Sequence, residues 1–371
     1  MLVISAVLLL DFGTRQIYLA IKNLDSASSQ GVIPLEQRPS PKHRCPHPAY
    51  NHGLVPNSSG IDIFGPTQTM YYVNSAGFRD SQIRSVDISS GQPRILLLGD
   101  SFAEGVGVPW PETLAGRLAK RLRSGGVEVL NAAVASYCPS LMSAKLAYLF
   151  QKQGLRVDVL VVFIDISDIE DELTYVALPA GGFQSKETSG FNSPKYWTWD
   201  KKTSDWMEAR LEKNFTLLGA ISRNLRQAWR QMGSPGGTPE LKRASWPEYR
   251  GPAESLIQEG LDKARNSMDD IAAMAKKHGA TLLVVIYPWL EQVDAAISPS
   301  RPELFWSRWC QEKGVRLINL FPLFVPLGKD YEKKYCLEGD GHWNPEGHRV
   351  VAEAILPHLK ETLTLPSSQP E

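Results

Sequence analysis

Five short, nearly continuous apolar runs rich in β-branched residues constrain this chain more than any other feature: Arg94 to Leu98, Val127 to Leu130, Val157 to Ile164, Thr281 to Ile286 and Val315 to Leu320. A strand with one wet face alternates polar and apolar residues; these runs do not, so each reads as a strand buried on both faces. Helical stretches separate them. Leu114, Leu118 and Leu122 recur every fourth residue before Gly125 and Gly126, and Leu141, Met142, Leu146, Leu149 and Phe150 share one broad face before Gly154. Leu256 to His278 and Pro302 to Lys313 carry similar faces and stop at Gly279 and Gly314, as helices closed by a left-handed residue do. Asn344-Pro345 reads as the cap and first turn of a last helix. Strands alternating with helices of this length imply right-handed crossovers, which predicts a three-layer α/β domain: a parallel five-stranded sheet with helices on both faces.

That domain is expected over residues 93–365, followed by a tail at 366–371. Before it, residues 23–92 are rich in Pro, Asn, Ser and Gly and read as an irregular arm that wraps the domain. Within it, an insert at 179–250 breaks the alternation and holds Trp197, Trp199, Trp206, Trp229 and Trp246, half of the ten tryptophans. Trp206, Phe215, Leu218, Leu225 and Trp229 fall near helical spacing, so this helical, Trp-rich insert is expected to be a lid or small subdomain with its own core, with sugar-stacking platforms as the alternative. Residues 1–22 form a separate segment. Leu2 to Leu10 is apolar but about half the length that spans a bilayer, and continuing to Ile21 includes Asp11 and Arg15. The segment is read as a signal anchor or its remains, with a buried N-terminal helix as the alternative. An extracytoplasmic setting, periplasmic or membrane-anchored, follows as an expectation.

Composition narrows the partners. Forty basic residues balance forty acidic ones in a chain of 371, so no net field draws it to nucleic acid, and none is expected as a partner. The four cysteines, Cys45, Cys138, Cys310 and Cys336, show no C-x-x-C pair, which argues against a zinc or redox motif. Neither a metal nor a cofactor is expected. Asp340, His342 and His348 make a poor metal-ligand trio, because His348 falls inside the last helix and no further ligand pair is evident. No oligomeric state follows from the sequence.

In open α/β sheets, ligands bind beyond the carboxyl ends of the strands, where strand order reverses. Gly99-Asp100-Ser101-Phe102 directly follows the first run, so Ser101 is displayed where a strand hands over to a helix. A serine hydroxyl needs a base to take its proton. Of the seven histidines, His342 stands out, because Asp340 lies two residues before it in Gly339-Asp340-Gly341-His342-Trp343-Asn344. Such a carboxylate holds the imidazole tautomer and stabilises its charged form. Gly-Asp-Ser and Asp-Gly-His are ordinary turn sequences when alone; their order, at the first strand end and the last helix entrance, points to a nucleophile, base and orienting acid.

The segments around Ser101, Asn131, Asp168 and His342, in that order, resemble the four sequence blocks of the SGNH/GDSL hydrolase superfamily. The similarity runs from about Asn74 to the last helix, and Asn74-Ser75-Ala76-Gly77-Phe78-Arg79-Asp80 is similar to the approach segment of many bacterial members. The resemblance implies a flavodoxin-like sheet and a Ser101, His342, Asp340 triad. It also implies an oxyanion hole from the Ser101 N–H, a block-two glycine N–H and a block-three asparagine side chain. Here Ser136 stands at the glycine position, where its N–H still donates, and Ser167 stands at the asparagine position with a shorter reach. The acid and base are two residues apart instead of the usual three. Asp100, Arg79, Asp168 and Trp343 are carried as candidate substrate-binding residues. Arg79 is expected to pair structurally in the first instance, and Asp165, Asp168, Glu170, Asp171 and Glu172 to form a solvated or loop-fixing acidic turn.

Three activities fit this pattern. One is a serine esterase removing small acyl groups, with a small-molecule or glycan ester as substrate. The second is a polysaccharide O-acyltransferase, suggested by the His342-Trp343 dipeptide. The third is a pseudoenzyme that binds glycan through the Trp-rich insert, its oxyanion hole weakened at Ser167.

Overall fold

Each of the five apolar runs forms a strand, since a segment apolar on both sides of its pleat is buried only between two layers. The computed structural model describes residues 43–64, 67–179, 181–185, 246–248 and 254–364. Its strands are β1 (Arg44–His47), β2 (Asn51–Leu54), β3 (Ser59–Phe64), β4 (Thr67–Val73), β5 (Arg79–Asp80), β6 (Arg94–Leu98), β7 (Glu128–Asn131), β8 (Val159–Ile164), β9 (Tyr175–Ala177), β10 (Phe183–Ser185), β11 (Thr281–Ile286) and β12 (Arg316–Asn319). The main sheet has eight strands in the order β12-β11-β8-β6-β7-β5-β4-β3. Its five parallel members, β7-β6-β8-β11-β12, follow chain order second, first, third, fourth, fifth, which is the flavodoxin-like arrangement. The order reverses at β6. Loops leaving the carboxyl ends of β6 and β8 therefore flank the crevice where such sheets bind ligands.

Successive residues of the central strands face opposite layers. Leu96 and Leu98 of β6, Leu160, Val162 and Ile164 of β8, and Val284 and Ile286 of β11 pack on one side with Leu141, Met142 and Leu146 of helix Pro139–Ala147 and Ile257, Leu261 and Met268 of helix Glu254–Lys277. On the other side, Ile95, Leu97, Val161, Phe163 and Val285 meet Leu114, Leu118 and Leu122 of helix Leu114–Leu122 and Val351, Ile355 and Leu359 of helix Pro345–Thr362. The expected α/β class and three layers are the observed ones.

The sheet is larger than the five strands expected, because part of the supposed irregular arm joins it. Strands β5, β4 and β3 extend the β7 edge with antiparallel pairing, through Arg79 opposite Asn131, and β1 pairs with β2 in a separate hairpin. These strands escape an apolar-run criterion for a physical reason. In β4, Thr69, Tyr71 and Val73 are buried while Gln68 and Met70 are exposed, a one-sided pattern in a polar sequence, and β5 is only two residues long.

The insert begins with the β9–β10 hairpin. Trp246 is buried and donates its indole N–H to the Ile166 carbonyl at 2.7 Å. The other four tryptophans and the helical spacing read there lie outside the described residues, as do the segment 1–22 and the tail. Among the described residues, no helix is long and apolar enough to cross a membrane. All four cysteines are free thiols.

Candidate active site

Ser101 opens a four-residue helix, Ser101–Glu104, directly after β6. Asp100 caps that helix by accepting the Phe102 N–H at 3.0 Å, which fixes the backbone on either side of the serine. The histidine arrives from the far end of the chain. Between helix Asp330–Tyr335 and the last helix, Cys336 bridges to Trp343, the Leu337 N–H donates to the His342 carbonyl at 2.8 Å, and the Asn344 side chain caps the helix that follows. This pinned turn holds His342 over Phe102, their rings stacked with centroids 4.6 Å apart, while Phe64 meets the imidazole edge-on at 5.0 Å.

Ser101 Oγ and His342 Nε2 are 2.7 Å apart, although 241 positions separate them in sequence. On the other side of the ring, His342 Nδ1 contacts Asp340 Oδ1, the oxygen that also accepts the His342 backbone N–H at 2.9 Å. The carboxylate is therefore acceptor to the ring and to the main chain of the same residue. Nδ1 carries the proton facing Asp340, which leaves the Nε2 lone pair facing the serine hydroxyl. Three residues that the sequence placed at two distant points form one hydrogen-bonded line.

The candidate oxyanion donors divide. Ser136 is exposed, follows β7, and adopts φ +65°, a left-handed conformation uncommon outside glycine. Its position matches the one where a glycine was expected. Among the described residues, neither the Ser101 nor the Ser136 backbone N–H has a hydrogen-bond partner. Ser167 differs. It is buried, and its hydroxyl and its N–H both donate to Asp165 Oδ1 at 2.7 Å, so the hydroxyl is already committed.

The four candidate substrate-binding residues are all buried, and each is engaged within the protein. Arg79 donates to the carbonyls of Glu104, Gly105 and Val108 and lies over the Tyr71 ring, so it pins the loop after the nucleophile and pairs with backbone oxygens instead of carboxylates. Trp343 donates to the Tyr331 hydroxyl at 3.2 Å and packs beneath Phe102 and Tyr287. Asp100 accepts from Tyr287 at 2.9 Å and shares a hydrogen bond with Asp165. Burial, then the neighbouring Asp165 charge, pushes the Asp100 carboxyl well above the ordinary range. Asp168 accepts the Asp165 N–H at 2.9 Å and is pushed up by burial and by the same two acids. These carboxyls, with Trp289 donating to Asp165, form a buried support behind the serine. The acidic turn is loop-fixing as expected, but buried.

Several residues of the site were not singled out in the sequence. Glu104 is fully buried, accepts from Arg44, from the Tyr71 hydroxyl at 2.6 Å and from the Ala135 N–H at 2.5 Å. Burial alone would raise its pKa, but the Arg44 guanidinium and these donors bring it down to about 2. A lone acid inside the apolar stretch Phe102 to Val108 was the available signal. His52, Tyr287 and Trp289 carried none, since each acts through contacts distant in sequence.

No protein-family model and no curated protein sequence matches the chain. Solved structures similar to it include Axe2, an acetylxylan esterase from Geobacillus stearothermophilus, at 12% identity over 77% of this chain and 100% of that one, TM-score 0.41. The lipase/acylhydrolase from Enterococcus faecalis is 11% identical over 75% of this chain and 100% of its own, TM-score 0.38. TesA is 14% identical over 72% and 99%, TM-score 0.38.

Proposed function

We propose that this chain is a serine hydrolase acting on carboxylic ester bonds, with Ser101 as nucleophile, His342 as general base and then acid, and Asp340 as the group that orients it. The observation that carries this reading is the 2.7 Å contact between Ser101 Oγ and His342 Nε2. In the first half-reaction the Ser101 oxygen attacks the carbonyl carbon while its proton moves to Nε2, and Asp340 stabilises the imidazolium that results. The tetrahedral oxyanion takes hydrogen bonds from the Ser101 and Ser136 N–H groups. Its collapse breaks the C–O bond, His342 returns the proton to the departing alkoxide, and an acyl-serine remains. Water then attacks this ester by the same route, releasing the acid.

The resemblance to SGNH/GDSL hydrolases supports a small acyl group carried on a glycan as the substrate class. Passing the acyl group to a sugar hydroxyl, as an acyltransferase does, needs the same three residues and differs only in the acceptor of the second step. One observation favours a slower enzyme: with Ser167 engaged by Asp165, the hole rests on two donors, and one missing donor lowers turnover by about 10²–10³.

Labelling with a fluorophosphonate probe tests the proposal. The wild type is expected to be modified at Ser101, and Ser101→Ala, His342→Ala and Asp340→Asn to label at a rate lower by about 10³ or more. Labelling that persists unchanged in Ser101→Ala removes the nucleophile, and a glycan ligand still bound by that variant would then favour the pseudoenzyme. Incubation with an acyl ester and sugar acceptors separates transferase from hydrolase by whether acylated sugar accumulates.

A further inference from the structure

Ala135, the residue before Ser136, is held at its carbonyl and at its N–H by groups that the triad chemistry does not use. His52 is 2% exposed, and its Nε2 lies 2.9 Å from the Ala135 carbonyl oxygen. A carbonyl only accepts, so a hydrogen bond at this end of the ring uses the Nε2–H. The other ring nitrogen, Nδ1, lies 2.9 Å from Asn51 Oδ1, and burial lowers the His52 pKa to about 4, which disfavours the charged ring. In a trans peptide the carbonyl and the next N–H point in opposite directions. A buried imidazole on the Ala135 oxygen therefore turns the Ser136 N–H away from the interior, on an exposed residue whose N–H has no partner among the described residues. The preceding N–H, that of Ala135, donates to Glu104 Oε2 at 2.5 Å. Glu104 belongs to the same short helix as Ser101, so one rigid element carries the nucleophile and anchors the loop. Upstream, the Val134 N–H donates to the Gly99 carbonyl at 3.1 Å, which seats this loop beside the turn that displays Ser101.

We propose that His52 and Glu104 are positioning residues for the reaction at Ser101, gripping residue 135 by its carbonyl and its N–H so that the Ser136 N–H faces the developing oxyanion. This inference rests on the proposed serine-hydrolase reading. It explains why a non-glycine residue persists at φ +65°: the grip on Ala135 before it, and the Tyr137 N–H donating to the Val134 carbonyl at 3.2 Å after it, over-determine the backbone there. It also assigns a role to residues 43–92, since His52 comes from β2 and Glu104 is neutralised by Arg44 of β1 and hydrogen-bonded by Tyr71 of β4.

The test compares wild type, His52→Ala, His52→Gln and His52→Asn by the rate of phosphonylation at Ser101 and by kcat and KM on p-nitrophenyl acetate. The glutamine amide reaches the place of Nε2 and restores a donor to the Ala135 oxygen; the asparagine amide reaches only the place of Nδ1. His52→Ala is expected to lower kcat and phosphonylation by about 10- to 100-fold with KM within about twofold, a fraction of the loss of a whole oxyanion donor. His52→Gln should recover to within about threefold of wild type, and His52→Asn should not. Should the alanine variant fail to fold, the contrast between glutamine and asparagine decides the matter alone. Equal rates in wild type and His52→Asn, or an impaired rate that glutamine does not restore, overturn the inference while Ser101 labelling leaves the hydrolase reading standing. A wild type in which Ser101 does not react removes both.

Discussion

A serine hydroxyl that donates to a buried carboxylate is worth little to a passing oxyanion. Ser167 Oγ sits 2.7 Å from Asp165 Oδ1 and gains there a charge-assisted hydrogen bond that a transient ligand would have to break. Ser167→Ala is therefore expected to change kcat by less than about threefold, against the 10²–10³ that loss of a true oxyanion donor produces. Steady-state kinetics on an acyl ester distinguish the two. A large fall in kcat at constant KM returns Ser167 to the hole. The contrast with Ser136 shows which part of the site was legible in advance. A backbone donor can be read from position alone, because any residue but proline supplies the N–H. A side-chain donor depends on what else is within reach, and Asp165, two residues earlier, claims the Ser167 hydroxyl before a substrate can.

Among the elements, the strands buried on both faces were visible in the chain, because nothing but burial explains Leu-Leu-Leu after Ile95 or Val-Leu-Val-Val-Phe-Ile at 159–164. The β3–β5 extension was not, since its strands are short, one-sided and polar at alternate positions, and the bonds that fix them are made to residues far away. Arg44 illustrates the consequence. In sequence it merely follows Lys42 and His43 in a short basic run; in the fold its guanidinium, 8% exposed, meets a Glu104 side chain that is wholly buried. Removing one member of a buried pair leaves a bare charge behind, which costs about 3–5 kcal/mol. Arg44→Met should destabilise by that order in denaturant titration, and adding Glu104→Gln should recover part of it, because the stranded charge is then gone. Two additive losses would show that the pair is not coupled.

For the molecule as a whole, buried bases and buried carboxyls pull the dependence of stability on pH in opposite directions: Asp100 and Asp168, pushed up by burial, lose stabilising effect as pH rises above about 4, and the bases gain it. Burial lowers the pKa of His43 to about 3, of His52 to about 4 and of His348 to about 3, helped at His43 by Arg44 and at His348 by Arg79. A base whose folded pKa lies below its unfolded value protonates first in the unfolded chain. Acidification from about 6.5 down through those values therefore favours unfolding, by up to about 1.4 kcal/mol per pH unit for each ring. Lys145, held between Tyr50, Phe78 and Tyr137 and donating to the Ala132 carbonyl at 2.8 Å, is brought down by burial to about 7. The same sign then applies between about 7 and 10.5. Tyr71, Tyr137, Tyr287 and Tyr331 are pushed well above 10 by burial, so stability falls again on that side. The readable signature is therefore a difference: the change in denaturation midpoint between pH 7 and 9 should be less favourable to the folded state in Lys145→Met than in wild type, because the term contributed by Lys145 is gone. Identical changes in the two proteins contradict this account.

The turn at 340–342 has a mechanical corollary. Because one Asp340 oxygen receives both the ring and the main-chain N–H of His342, the proposed acid and base share one three-residue turn. Their contact with Ser101 instead joins segments 241 positions apart, so a shift of either segment is felt there first. Anything that throttles this protein without dismantling it has that gap as its throttle.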